Sequence, residues 1–152
     1  MHAELLAKCA VVAVRGKGTR ALAMAAKNRP AQLLRDVRAE ADGTAMSWDD
    51  YLKAAGLEAA PVENATEFER SDLALQAATA GLGHALGRSL LIDRDIGDGV
   101  LDVDGPAIPI AGRYWLVTTP ETASTESYAV LAKWLKAEVR RSQAITRSYL
   151  GT

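Results

Sequence analysis

The stretch FERSDLALQAATAGLGHALGR, residues 68–88, decides the predicted fold. Residues 66–69, at its start, are typical of a short strand. Ser71 is a residue type favoured at helix N-termini, and Gly81 is suited to end the helix that follows. Ala85 and Leu86 then form a second short strand-like segment. A strand, a helix and a strand in succession indicate an α/β fold rather than a helical bundle. The helix is expected to turn these side chains inward: Leu73, Ala74, Ala77 and Ala78.

Outside this stretch, residues 100–103 (VLDV) are predicted to form a short strand, and two stronger segments have the composition of strands. Residues 9–14 (CAVVAV) are apolar without interruption, as in a strand buried on both faces. Residues 114–119 (YWLVTT) are rich in β-forming types and are followed by Pro120. Both segments support an α/β unit of three layers built on a mixed sheet.

Three other segments are predicted to be helical. Pro30 is placed to open a helical turn through Leu34. Ser47 is expected to cap a helix that Gly56 ends. The longest helix is expected over residues 124–141, with its apolar stripe on Tyr128, Leu131, Leu135 and Val139. The polar residues 142–152 are expected to form a frayed tail.

Composition excludes several classes of protein. The chain has 152 residues, which suits one domain, and its 18 basic and 19 acidic residues give a net charge of −1. This balance gives no general attraction for DNA or for an anionic membrane. A single cysteine allows no internal disulfide and fits a reducing, cytoplasmic location. The apolar run at residues 9–14 is far too short to cross a bilayer, and the N-terminus lacks the features of a signal peptide.

Motifs that carry chemistry are weak throughout. The acidic segment 93–104 departs from a calcium loop at three positions, and residues 81–87 follow a helix where a dinucleotide loop must follow a strand. His84 is interpreted as a packed or surface histidine rather than a general base. Neither a metal-ligand spacing nor a nucleophile with its base is present, so we expect no enzyme, no metal site and no cofactor.

One position does favour ligand binding. Ser71 is expected at a helix N-terminus directly after a strand, with Arg70 beside it. Backbone amides, a hydroxyl and a guanidinium would converge there, and together they suit a carboxylate or a similar anion. The alternative interpretation is that Ser71 only caps its own helix.

The chain resembles a known family over residues 4–140. The stretch 68–88 is similar to the second lobe of the effector-binding domain of LysR-type transcriptional regulators, most similar to the glycine-cleavage-activator branch. Residues 33–36 (LLRD), Trp48 and residues 52–56 (LKAAG) resemble that branch's LLRD…W…WLRAAG segment. Residues 114–117 (YWLV), with Trp134 and Leu135, resemble its YYLV…FRDWL ending.

The resemblance implies a periplasmic-binding-protein-like (type 2) lobe, in which two crossing strands form the hinge and a small effector binds in a cleft. Lobe two would span about residues 10–113, the leaving hinge strand residues 114–119, and the returning helix about residues 124–141. Ser71 and Arg70 would lie at the cleft rim, and Tyr114 on the hinge strand would face the cleft. These three residues are the predicted ligand-binding set.

The departures from the family are as informative as the similarities. The N-terminal winged helix-turn-helix and the first half of lobe one have no counterpart in this sequence. We therefore expect a truncated effector-sensing part of a LysR-type regulator that makes no direct DNA contact. An uncovered stripe on the last helix would favour a homo-oligomer, or a heteromer with an intact LysR-type regulator. The alternative is a stand-alone α/β module that binds a small molecule or a protein and has no role in transcription.

Overall fold

The computed structural model describes residues 1–62 and 64–150. The strands of the chain are β1 (His2–Gly16), β2 (Leu33–Asp36), β3 (Thr66–Phe68), β4 (His84–Arg88), β5 (Leu101–Val103) and β6 (Ile108–Thr118). The helices are α1 (Val37–Ala41), α2 (Trp48–Ala54), α3 (Ser71–Thr79), α4 (Asp93–Gly97), α5 (Pro120–Ala123) and α6 (Glu126–Leu150), with a 3₁₀ turn at Leu22–Met24. Within these ranges no helix is long and apolar enough to cross a membrane.

All six strands join one mixed sheet. Its order is β3-β2-β4-β1-β5, and β6 pairs with β1 outside this path. Strand β2 runs parallel to β3 and β4, whereas β1 runs antiparallel to β4, β5 and β6. The predicted α/β class and the mixed sheet are therefore confirmed.

The core lies on both faces of the sheet, and β1 explains why. Neighbouring residues of a strand point to opposite faces. Val12 and Val14 therefore pack into a cluster with α3, and Val11 and Ala13 pack into a second cluster with α2. This burial on both sides accounts for the uninterrupted apolar run and gives the three predicted layers.

The two predicted hinge strands are longer than expected. β1 begins at His2 rather than Cys9, and β6 begins at Ile108 rather than Tyr114. The two strands pair antiparallel from His2 opposite Thr118 to Val11 opposite Ile108, with two register shifts. The added segments contain polar and exposed residues because they lie outside the core, and so they lack the apolar pattern that predicts a strand.

Two local predictions are wrong. The helical turn expected from Pro30 to Leu34 is instead the approach to strand β2, because Leu33 and Leu34 lie buried between β3 and β4. Leu73 does not point inward. It is exposed, and the small side chains Ala74, Ala77 and Ala78 form the buried face of α3.

The last helix differs from the prediction at both ends. Residues 120–123 form the separate helix α5, whose first position suits Pro120, so α6 begins only at Glu126. At the other end α6 continues to Leu150, and residues 142–150 are helical where a frayed tail was expected. The predicted stripe is divided: Tyr128 is buried, and Leu131 is exposed.

Candidate functional site

The candidate site lies at the carboxyl edge of the parallel strands. Asp36 ends β2, Arg88 ends β4, and Ser71 begins α3 directly after β3. The antiparallel strand β1 brings its Val11 opposite Arg88, so the residues before Val11 lie at this same edge. Ligands of open α/β sheets bind at this edge, where the strands end and the helices begin.

Two adjoining cavities occupy this edge, and together we call them the cleft. The first is a narrow space of about 30 Å³ beside Asp36, Ser71 and Trp48. The second is wider, about 440 Å³, and Tyr114 lines it together with Cys9 and Arg113. Both cavities are bordered by the same three residues: Ala45, Met46 and Arg88.

Ser71 lines the narrow part of the cleft but does not cap its own helix. Arg70 holds the N-cap position of α3 and makes no side-chain capping hydrogen bond. The Ser71 hydroxyl instead donates to the Asp36 carboxylate, whose other oxygen accepts the Ala39 amide at 3.0 Å and caps α1. One carboxylate therefore holds two helix N-termini together at the rim of the cleft.

Arg70 lines neither cavity of the cleft. Its side chain is 66% exposed and donates two hydrogen bonds to Asp72, at 2.9 Å and 2.6 Å. This hydrogen-bonded pair holds the pKa of the Asp72 carboxyl below its usual range. Arg70 and Ser71 both border a shallow surface beside the cleft, where the Arg70 guanidinium is hydrogen bonded to Asp72 and the Ser71 hydroxyl to Asp36.

Tyr114 lies on β6 at the wide part of the cleft. Its hydroxyl donates to the Ser89 carbonyl at 2.8 Å and accepts a long contact from the Cys9 thiol at 3.8 Å. Burial is the main cause that raises the pKa of Tyr114 well above its usual value. The phenol therefore stays protonated, and its oxygen can still accept a hydrogen bond from a ligand.

Arg88 is the residue of the cleft that sequence reasoning missed. It borders both cavities, and its one side-chain hydrogen bond is a long contact of 3.4 Å from Nη1 to the Thr44 carbonyl. Within residues 1–62 and 64–150 it forms no ion pair. Its position in the sequence could have indicated this role, because Arg88 is the last residue of a buried strand and therefore lies at the edge of the sheet where that strand ends.

The charges of the cleft favour a ligand that carries an anionic group. Arg88 and Arg113 border the wide part, opposed there by the carboxylate of Asp50. In the narrow part Glu40 is neutralised by Arg35 at 2.7 Å, and Asp36 is already hydrogen bonded. Arg88 is thus the cation best placed to bind an anion. In the described part of the chain no group of three His, Cys, Asp or Glu side chains is placed to hold a metal ion.

His84, interpreted from sequence as a packed or surface residue, is packed. It is 2% exposed and lies at the opposite edge of the sheet from the cleft, where its Nδ1 is 2.7 Å from Asp104 Oδ2. It takes no part in the cleft.

Solved structures of similar fold are regulator domains. The chain has a TM-score of 0.62 and 20% identity to the effector domain of AmpR from Pseudomonas aeruginosa, covering 94% of this chain and 68% of that one. The AmpR effector-binding domain from Citrobacter freundii has a TM-score of 0.58 and 17% identity, and the match covers 92% of this chain and 68% of that one. The regulatory domain of the HypT M206Q mutant from Salmonella typhimurium has a TM-score of 0.54 and 18% identity, and the match covers 90% of this chain and 66% of that one.

The TM-scores show a shared fold, the periplasmic-binding-protein-like mixed sheet flanked by helices. The chain spans about two thirds of the length of each of these domains. A search of curated proteins found no match. Nothing in these comparisons singles out the glycine-cleavage-activator branch, which stays a prediction. The family model described as the LysR substrate binding domain matches residues 3–140, nearly the whole chain. This chain therefore belongs to the LysR substrate-binding domain family, a family of regulatory domains rather than of enzymes.

Proposed function

We propose that this chain is the effector-sensing part of a LysR-type transcriptional regulator and that its cleft binds a small metabolite with an anionic group. The observation that carries the proposal is Arg88, a guanidinium at the carboxyl edge of the sheet that borders both cavities and has no ion-pair partner in the described residues. The family match favours this function over a stand-alone module without a role in transcription.

The proposed ligand contacts divide between the two parts of the cleft. Arg88 binds the anionic group, and the Tyr114 oxygen accepts a hydrogen bond in the wide part. In the narrow part Ser71 and Asp36 recognise a donor group on the same ligand, since a carboxylate there accepts hydrogen bonds. Arg70 would reach the ligand only by leaving Asp72, so we expect it to contribute least of the predicted residues.

A separate surface of the chain is apolar and exposed. Leu5, Trp115 and Val117 lie on one exposed face of the paired strands β1 and β6, and Trp134 is exposed on α6. We propose that another polypeptide surface covers these apolar faces, from a second copy of this chain or from an intact LysR-type regulator. A partner of the second kind would contribute DNA recognition in the cytoplasm. We also propose that lobe two spans about residues 10–113 and that residues 114–119 form the leaving hinge strand.

Binding of small carboxylates by single variants tests the function. Calorimetry with acetate, succinate and glutamate measures each dissociation constant at fixed ionic strength. Losing a charge-assisted hydrogen bond costs about 1.5–3 kcal/mol. Arg88→Gln should therefore weaken binding at least about tenfold, and Ser71→Ala and Tyr114→Phe by smaller factors.

The matched control is Arg38→Gln, an exposed arginine outside both cavities, which should bind like the unchanged chain. If no carboxylate of the panel binds, or if Arg88→Gln binds as tightly as the Arg38→Gln control, the proposed anion site is wrong.

A further inference from the structure

Another cavity, separate from the two that form the cleft, lies at the opposite edge of the sheet, where β2 and β4 begin. Its volume is about 220 Å³. Three segments line it: residues 19–25 after β1, residues 29–32 before β2, and residues 81–84, which end in His84. We call this space the Arg20–Arg29 cavity. It shares no lining residue with the cleft.

The charge of the Arg20–Arg29 cavity is positive. Arg20 and Arg29 both line it, and its lining contains no carboxylate within the described residues. Neither guanidinium forms an ion pair or a side-chain hydrogen bond with any other residue that the structure describes. Arginine is the side chain best suited to hydrogen bond two oxygens of one anion. Two arginines facing one small space therefore favour an anion with several oxygens.

Buried polar groups meet the same cavity. His84 is 2% exposed, and its Nδ1 lies 2.7 Å from Asp104 Oδ2. That carboxylate is held in place by the Leu22 amide, at 2.9 Å and 3.1 Å. The other ring nitrogen, Nε2, has no hydrogen-bond partner in the described ranges. Among the residues described, Nδ1 thus lies beside the Asp104 carboxylate without forming a hydrogen bond, and Nε2 is left without a partner.

Thr19 adds an unused hydroxyl. Its Oγ1 is buried and finds no hydrogen-bond partner among the described residues. Its carbonyl accepts from Arg15 Nη1 at 2.6 Å, which holds the segment after β1 against the sheet. Buried hydroxyls in proteins are normally hydrogen bonded, so within the described part of the chain this one lacks its usual partner.

The loop at residues 81–84 is held rigidly against this cavity. A Cβ atom on Gly83 would lie 2.6 Å from the Gln32 carbonyl, so only glycine permits this approach. The His84 amide then donates to the same carbonyl at 2.9 Å. This glycine-containing segment, which is not a dinucleotide loop, therefore places the buried His84 in the same cavity lining as Arg20 and Arg29.

We propose that the Arg20–Arg29 cavity binds a small oxyanion of the phosphate class, either free phosphate or the phosphoryl group of a metabolite. Arg20 and Arg29 neutralise the charge, and His84 Nε2 hydrogen bonds a remaining oxygen. The size suits one such group, since 220 Å³ is below the usual range of drug-sized ligand sites, about 300–1,000 Å³. This proposal does not depend on the effector cleft.

Phosphate titration tests the site with the full chain. Inorganic phosphate is added at fixed ionic strength, binding is measured by calorimetry, and the His84 ring resonances are followed by NMR. We expect saturable binding that moves the His84 signals. Arg20→Gln and Arg29→Gln should each weaken it about tenfold, the usual loss for one charge-assisted hydrogen bond.

Lys27→Gln serves as the control, because it removes an exposed cation from the same loop but outside the cavity. It should bind phosphate like the unchanged chain. If phosphate fails to saturate, leaves the His84 signals unmoved, or binds Lys27→Gln as weakly as Arg29→Gln, the site does not exist.

The two ligand sources are separated by a phosphomonoester. If glycerol phosphate binds more tightly than inorganic phosphate and depends on the same arginines, the site takes the phosphoryl group of a metabolite. If only inorganic phosphate binds, the site takes the free ion. Either result supports the oxyanion site, and neither depends on carboxylate binding at Arg88.

Discussion

Ser71 at the start of α3 donates its hydroxyl to Asp36 at the end of β2, 35 residues away, and this contact joins the N-termini of α1 and α3. The Asp36 carboxylate accepts one hydrogen bond from the Ser71 hydroxyl and another from the Ala39 amide. The carboxylate stabilises the positive ends of α1 and α3 at the same time. The rim of the cleft therefore depends on a contact between segments that are distant in sequence.

Replacing Ser71 by alanine should destabilise the fold as well as weaken ligand binding. A hydrogen bond to a charged group contributes about 1.5–3 kcal/mol, and partial exposure places Ser71 at the lower end of that range. We expect a loss of about 1.5 kcal/mol in the free energy of unfolding, measured by urea denaturation. Ser148→Ala, which removes only an exposed contact within α6, is the control. Equal stability of the two variants would contradict this role of Ser71.

The comparison of Ser71 with β1 shows which parts of the fold a sequence can reveal. The apolar run at residues 9–14 predicts its strand because both faces of that strand are buried, a condition visible in six consecutive letters. Ser71 is correctly predicted at the start of a helix, for the same local reason. Its partner Asp36 is not predicted, because nothing local indicates that β2 will lie beside β3.

Strand β2 and Arg88 illustrate the same limit. Leu33 and Leu34 follow a proline and suggest a helical turn, but pairing with two neighbouring strands decides their conformation. Arg88 is the last residue of the stretch that decided the fold, yet its importance comes from the two cavities that meet beside it. Tertiary pairing, which no short pattern records, sets both outcomes.

The end of α6 should contribute strongly to stability through Asp93. This carboxylate is 1% exposed and accepts hydroxyl hydrogen bonds from Ser142, Thr146 and Tyr149. Because an unsatisfied buried carboxylate is costly, Tyr149→Phe should lower the free energy of unfolding by about 1–2 kcal/mol. Thr146→Val should act in the same direction. Chemical denaturation measures both, and Ser148→Ala again serves as the reference. No change in either variant would mean that α6 does not hold Asp93 in solution.

The docking of α6 onto β1 should weaken in acid. The pKa of Glu4 is lowered from 4.5 to about 2, mainly because Lys136 donates to it, with further hydrogen bonds from His2 and Tyr128. A carboxyl whose pKa is lower in the folded state stabilises the fold above its unfolded pKa and loses that effect as pH falls. Stability should therefore decrease between pH 4.5 and about 2.

Unfolding midpoints recorded from pH 7 to pH 2 measure this effect. Glu4→Gln should be less stable at pH 7 and should show a shallower decrease in acid than the unchanged chain. Glu58→Gln alters an exposed carboxyl at the surface and should follow the unchanged curve. If the Glu4→Gln curve is as steep as the original, Glu4 does not carry the acid sensitivity.

Self-association should depend on the apolar face of the paired strands β1 and β6. Trp115 is 53% exposed and pairs across the sheet with exposed Leu5, while Trp134 is 58% exposed on α6. Large apolar side chains on one face favour contact with another protein surface, and burying one contributes about 1.5–3 kcal/mol. Light scattering over a concentration series should therefore detect a dimer. Trp115→Thr, which keeps a strand-forming residue, should raise its dissociation constant at least about tenfold. Met24→Gln removes an equally exposed apolar side chain elsewhere and should leave the dimer unchanged. A monomer at all concentrations would exclude a second copy as the cover of this face, and co-purification with an intact LysR-type regulator would then test the other proposed partner.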